Sequence, residues 1–378
     1  MKFVFASDSF KGTLSSIRTG ELLTAAAEEV FPGCTCKTVP MADGGEGTAE
    51  AVILATGGKW VPATVTGPLG KPVTAGYGLL PGGSAIIEMA SASGLVLVPP
   101  EQRDPRNTST YGTGELIAAA LKAGCTELTI AIGGSATNDG GMGCARALGV
   151  RFLDASGHEL EGKGGDLAKV AHIDASGLLP AAKAAIFTIM SDVDNPLLGP
   201  DGATFTFGPQ KGAIPEIRDE LEAGMENYAR VLERDLGADT GFPGAGAAGG
   251  LGAALKIFLG AQMRSGSDAV LDLVHFDEDL KDADFVITGE GRIDWQSAHG
   301  KVVSGVGKRC QKAGVPCIAI VGGMGDKAED MLALVDSIIP TVQGPCTLEY
   351  AMEHAEELYA SAASRVMRIL AISNAHRK

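Results

Sequence analysis

Five times along the chain a short apolar, β-leaning run stops at a loop that mixes glycine with charged residues, at 8–11, 43–46, 133–139, 192–195 and 289–294. Strand, short loop and helix in alternation build an α/β fold with a largely parallel sheet. Such sheets bind ligands beyond the carboxyl ends of their strands, so the charged residues of these loops are the first candidates for function.

The fullest instance is residues 130–143, Ile-Ala-Ile-Gly-Gly-Ser-Ala-Thr-Asn-Asp-Gly-Gly-Met-Gly. Residues 126–132 read as a buried strand, the glycines end it in a tight turn, and a helix begins near Gly140. Backbone amides unshielded by side chains, together with a helix start, favour an anion. Gly133, Gly134, Ser135 and Asn138 are therefore candidate phosphate-binding residues, with Asn138 and Asp139 as candidate ligands for a hydroxyl or a metal. Alone, the stretch fits ordinary turn and cap chemistry equally well. Its recurrence favours binding.

The remaining loops follow the same plan. Asp8 and Lys11 come just after a strand at 3–6, ahead of a helix over about 17–30. Asp43-Gly44-Gly45-Glu46-Gly47-Thr48 follows a strand at 37–41, and its two carboxylates suit a phosphate-carrying Mg²⁺, which takes hard oxygen ligands. An acidic helix N-terminus is the plainer explanation, but paired glycines between two acids serve stability poorly. A strand at 185–190 ends in Ser191-Asp192-Val193-Asp194-Asn195-Pro196, where Asp192 is a candidate metal or substrate contact and an Asx turn is the alternative. Gly289-Glu290-Gly291-Arg292-Ile293-Asp294 leaves a strand at 284–288.

Between 60 and 89 the texture changes to alternating runs at 61–66 and 73–79 around Gly67-Pro68-Leu69-Gly70, a hairpin pattern that marks a domain crossing. Residues 204–207 read as a strand leading into a loop with Lys211, and 217–232 as a long amphipathic helix. The glycines of 244–252 either admit a nucleotide or let helices pack closely. Gly244, Gly246 and Gly249 match Gly-x-Gly-x-x-Gly, yet no clear strand precedes them, and no Lys-Ser/Thr closes a Walker loop. A last helix spans 348–370.

A chain of 378 residues with 45 % hydrophobic content has material for two domains. Its net charge of −15 argues against nucleic acid or an anionic membrane as partner. The seven cysteines are scattered without Cys-x-x-Cys pairs, which fits free thiols in a reducing cytoplasm. A strand-like run directly after Lys2 and the lack of an apolar stretch of membrane-spanning length lead us to expect a soluble cytoplasmic protein, monomer or homodimer. The six histidines show no metal spacing, and no Gly-x-Ser-x-Gly or kinase-type His-Arg-Asp occurs. Several carboxylates, a few cations and free backbone amides at strand ends suit phosphoryl transfer, which needs charge neutralisation, a metal and an aligned acceptor.

The motifs Asp8-Ser9-Phe10-Lys11, Ala-Asp-Gly-Gly-Glu-Gly-Thr at 42–48, Gly-Gly-Ser-Ala-Thr-Asn-Asp-Gly-Gly at 133–141, Phe-Gly-Pro-Gln-Lys-Gly at 207–212 and Gly-Glu-Gly-Arg-Ile-Asp-x-Gln-Ser at 289–297 resemble those of the bacterial glycerate kinase type 1 family. The resemblance runs in order through about residue 342. The family's first loop commonly has proline and glutamate where Ser7 and Gly12 stand here.

The resemblance implies ATP-dependent phosphorylation of D-glycerate, in the branch that forms 2-phosphoglycerate. It further implies two α/β domains, a Rossmann-like or flavodoxin-like parallel-sheet domain from residues 1–62 plus 284–378 and an inserted mixed domain from 63–283, with the active site between them. On this view Asp8, Lys11, Asp192 and Arg292 are catalytic. Arg292 takes the substrate carboxylate, Asp43 and Glu46 carry Mg²⁺, and Gly133–Asn138 and Gly289, Glu290 and Gly291 cradle the phosphates of ATP. Two other classes compete. A nicotinamide-dependent oxidoreductase needs an intact dinucleotide fingerprint, and a non-catalytic phosphosugar or nucleotide sensor needs no such density of carboxylates.

Overall fold

The computed structural model describes residues 1–10, 12–42, 45, 47–298 and 301–375. Lys11, Asp43 and Glu46 lie outside the described residues. The chain forms two compact units, one of residues 1–43, 54–56 and 265–378, the other of 44–53 and 57–264.

The first unit holds a five-stranded, all-parallel sheet in the order Ser337–Pro340, Cys317–Met324, Phe285–Ile293, Lys2–Ser7, Thr35–Thr38. Phe3, Val4, Phe5 and Ala6 are all buried, the unbroken apolar run of a strand covered on both faces. Helices Ser16–Val30 and Ala355–Ala375 cover one face, where Leu23, Ala27, Tyr359 and Met367 pack on Phe3, Phe5 and Ile320. Ser15 caps the first of these helices by accepting from the Arg18 amide. The expected single C-terminal helix is two, Leu348–Glu353 and Ala355–Ala375, broken at His354.

The second unit is built on a six-stranded mixed sheet. Gln262–Arg264, Ile186–Met190, Glu127–Ala131 and Ser84–Glu88 are parallel; Pro72–Leu80 and Lys59–Thr66 continue the sheet antiparallel. The last two are the expected hairpin, closed by Gly67 donating to the Lys71 carbonyl and by Gly70 at positive φ. Pairing begins at Lys59↔Leu79, so 59–62 belong to this sheet and not to the N-terminal one. Helix Gly266–Leu273 lies in the first unit, which the chain re-enters at Ser265.

Residues Ala203–Phe207 form a short helix, not the expected strand. Thr-Phe-Thr-Phe favours strand locally, but Ala203 and Thr204 are fully buried and the Gly208 amide closes the turn on the Thr204 carbonyl, so tertiary packing overrides propensity. The glycines at 244–252 serve packing. Ala248, Gly249 and Gly250 have positive φ at the start of helix Ala247–Leu259, and a Cβ on Gly249 would lie 2.0 Å from the Thr137 carbonyl oxygen. Gly140 donates to the Gly249 carbonyl at 2.9 Å. Backbone fills the space a nucleotide would need, which removes the dinucleotide reading of this stretch.

Gly249→Ala therefore adds a left-handed strain to a backbone clash. It should destabilise the protein by about 2 kcal/mol or more, read as a lower urea midpoint with unchanged slope.

Candidate active site

In the first unit the register Ser7↔Gly289 sets the residues after both strands side by side at the carboxyl edge of the sheet. The Asp8 amide donates to the Gly289 carbonyl at 2.8 Å, and the Asp8 carboxylate accepts from the Ser9 amide at 2.7 Å. Here lies a cavity of about 370 Å³. Its polar wall includes Asp8, Glu290, Arg292, Lys301 and Thr341; its apolar wall includes Phe10, Leu348, Ala351 and Met352.

The sequence places a turn at Gly289, but the strand runs on to Ile293, paired through Arg292↔Gly323 and Ile293↔Met324. Gly289, Glu290 and Gly291 are thus strand residues and not a turn. Gly289 is small because a Cβ there would stand 2.0 Å from the Ile320 carbonyl oxygen. Glu290 and Gly291 line the cavity; Gly289 does not.

Glu290 is 7 % exposed. Its Oε2 lies 3.7 Å from Lys301 Nζ, and its Oε1 has no hydrogen-bond partner among the described residues. Burial raises its pKa, with a Ser297 hydrogen bond and Lys301 pulling against it. Arg292 is exposed at the same rim, beside Gly325. Lys301, which precedes helix Val302–Ala313, escapes a reading based on strand ends because it reaches the cavity from a helix start.

In the second unit the parallel strands Glu127–Ala131 and Ile186–Met190 place the 133–139 and 191–195 loops at one sheet edge. Gly133 and Gly134 are exposed, Gly134 at positive φ, while Ser135, Asn138 and Asp139 are buried. Asp139 cannot serve as a metal or hydroxyl ligand here. Its carboxylate accepts from the Thr110 amide and hydroxyl, both 2.7 Å, and from the Gly141 and Gly143 amides. Burial still raises its pKa against those four donors.

Asn138 donates from Nδ2 to the Thr204 hydroxyl at 3.2 Å, and its Oδ1 has no partner among the described residues. Lys211 is 2 % exposed and donates from Nζ to Ser135 Oγ at 2.8 Å and to the Thr137 carbonyl at 2.7 Å. Asp192 is exposed. Asn195, by contrast, is a brace, donating to the Asp201 carbonyl at 2.7 Å. Glu88, passed over in the sequence, accepts from the Ala49 amide at 2.7 Å and anchors helix Thr48–Thr56, which follows the 43–46 acids.

Strand-edge loops that gather carboxylates, cations and exposed glycine define an α/β enzyme for small anionic substrates. The chain belongs to the glycerate kinase family, whose profile matches residues 3–371. It is 48 % identical to a glycerate kinase of Bacillus subtilis (strain 168) over 94 % of both chains. It is 45 % identical to a glycerate 2-kinase of Escherichia coli (strain K12) over 98 % of both. A Salmonella typhimurium LT2 crystal structure described as a glycerate kinase 2 superposes with a TM-score of 0.90, at 45 % identity and 99 % coverage of both chains. The enzyme is a phosphotransferase with an alcohol acceptor, and its reaction is the phosphorylation of glycerate. No helix among the described residues is long and apolar enough to cross a membrane.

An acid whose folded pKa is raised costs stability at pH values above its unfolded pKa, near 4.3, and costs nothing well below it. Glu290→Gln should therefore be more stable than the parent at pH 8, with the gain gone near pH 4. Thermal unfolding at the two pH values reads this out.

Proposed function

We propose that the enzyme transfers the γ-phosphoryl group of ATP to the 2-hydroxyl of D-glycerate, with Mg²⁺ assistance, in the cytoplasm. The observation that carries this reading is the charged cavity at the carboxyl edge of the parallel sheet, in a chain 45 % identical over 98 % of its length to a protein described as a glycerate 2-kinase. Glycerate is a small carboxylate with two hydroxyls. Arg292 supplies a guanidinium fork for its carboxylate, and Lys301 a second positive charge at the same wall. Glu290, held toward its neutral form by burial, can accept or donate a proton near the acceptor hydroxyl.

The reading takes the two compact units as the two domains of the enzyme. Gly133, Gly134 and Ser135 present a turn to phosphate oxygens, Asp192 orients the acceptor side, and Lys11 neutralises the group in transfer. The donor set suits Mg²⁺. Asp8 supplies hard carboxylate oxygen at the cavity wall, and Asp43 and Glu46 add two more carboxylates in the sequence. The described residues contain no group of three or more acidic, His or Cys side chains arranged to hold a metal. The carboxylates of Asp8, Asp43 and Glu46 would hold Mg²⁺ together with nucleotide phosphate oxygens. When bound it would neutralise phosphate charge.

Purified protein with ATP, Mg²⁺ and a panel of hydroxy acids should release ADP only with D-glycerate, and ³¹P–¹H coupling in the product should place phosphorus on the 2-oxygen. Coupling to the 3-methylene would overturn the positional reading. Arg292→Ala should raise KM for D-glycerate at least about tenfold, with a smaller effect on KM for ATP, and Arg292→Lys should rescue little of it because the fork is lost.

A further inference from the structure

Lys211 departs from the ordinary rule that a lysine fully buried in a protein has a charged partner. Among the described residues it has two hydrogen-bond partners, Ser135 Oγ and the Thr137 carbonyl oxygen, and both are neutral. Both belong to the 133–139 turn, whose outer face is Gly133 and Gly134. The charge that acts on it is Asp139, already committed to four donors. A cation is thus packed beneath a glycine turn without an anion of its own.

A second observation in the same turn points to a missing ligand. Thr137 Oγ1 and Asn138 Oδ1 are buried and have no hydrogen-bond partner among the described residues. Buried polar atoms are normally satisfied, so two orphans in one turn indicate a site that a bound group or its water completes. The turn is closely packed from behind: a Cβ on Gly249 would meet the backbone of Thr137 and Asn138, and one on Gly250 that of Gly140.

We infer that Lys211 is a positioning residue for phosphoryl transfer, which fixes the Ser135 hydroxyl and the Thr137 carbonyl so that the 133–135 turn meets an anionic phosphate oxygen, and adds positive potential beneath it. This rests on the reading above that the turn faces a substrate phosphate. Lys211 comes from the short turn Pro209–Lys211, and neither neighbour substitutes for its reach, since Gly212 at φ +96° packs on the Arg103 carbonyl and Gln210 is exposed. Burial pulls the Lys211 pKa down to about 7, against Asp139, so an anion beside it would strengthen the ammonium form.

The test is a double-variant cycle of Lys211→Met and Ser135→Ala, read by kcat, by KM for each substrate and by calorimetric titration with ADP. Parent turnover of D-glycerate is measured first, and its absence would count against the functional reading itself. With the parent active, Lys211→Met should lower kcat or ADP affinity at least about tenfold while the protein still unfolds cooperatively. The double variant should be no worse than the more damaging single, because the two residues act as a unit. Changes within about twofold, or single effects that multiply, would overturn the inference. A purely structural lysine predicts a lower Tm with normal kcat in the folded protein, which also overturns it. If Lys211→Met does not fold, Ser135→Ala decides alone, and kcat and ADP affinity within about twofold of the parent overturn the inference.

Discussion

Parallel pairing with one register is the constraint from which the first unit's site follows. Ser7 pairs with Gly289 although 282 residues separate them, and this brings Asp8 and Glu290 out at one edge. A slip of one residue would turn Glu290 toward the other face and point every buried side chain of the strand the wrong way. The register is held by Phe3, Val4 and Phe5 packing on both faces, and by Thr288 Oγ1 donating to the Ala6 carbonyl at 2.8 Å. Core and site are the same decision made by the same residues.

Much of this was legible before any coordinates, for a physical reason. Strands buried on both faces are continuous apolar runs, so 3–6, 126–132 and 185–190 declare themselves, and Gly-Pro-Leu-Gly between alternating runs can hardly be other than a hairpin turn. The Thr-Phe-Thr-Phe helix was not legible, because its conformation comes from burial of Ala203 and Thr204 and not from propensity. Nor was the persistence of the strand through Gly291 and Arg292. Two glycines read locally as a turn, and only the neighbour strand Cys317–Met324, pairing as far as Ile293↔Met324, keeps them extended.

Side-chain roles were the least visible. Asp139 looks like a ligand by position, yet it is spent on tying Thr110, Gly141 and Gly143 together, contacts with no sequence signature. Lys301 and Glu88 act through partners 11 and 39 residues away, Glu290 and Ala49. The glycines of 244–252 illustrate the same limit from the other side. Their spacing suggests phosphate, while their φ angles, and the 2.0 Å at which a Cβ on Gly249 would meet the Thr137 carbonyl oxygen, tie them to close contact with backbone.

A chain with a net charge of −15 that binds anionic substrates must solve its electrostatics locally. Charges beyond a Debye length of about 8 Å are largely screened, so the global excess of carboxylates matters less than what lines each loop. The two units do this with opposite chemistry. Arg292 and Lys301 stand among carboxylates at an open cavity, whereas Lys211 is buried under glycine with neutral acceptors. Burial pushes Glu290 up and Lys211 down, each toward its uncharged form. On the proposed reading a phosphate oxygen beside Lys211 would favour its ammonium form, so occupancy and protonation would be linked there.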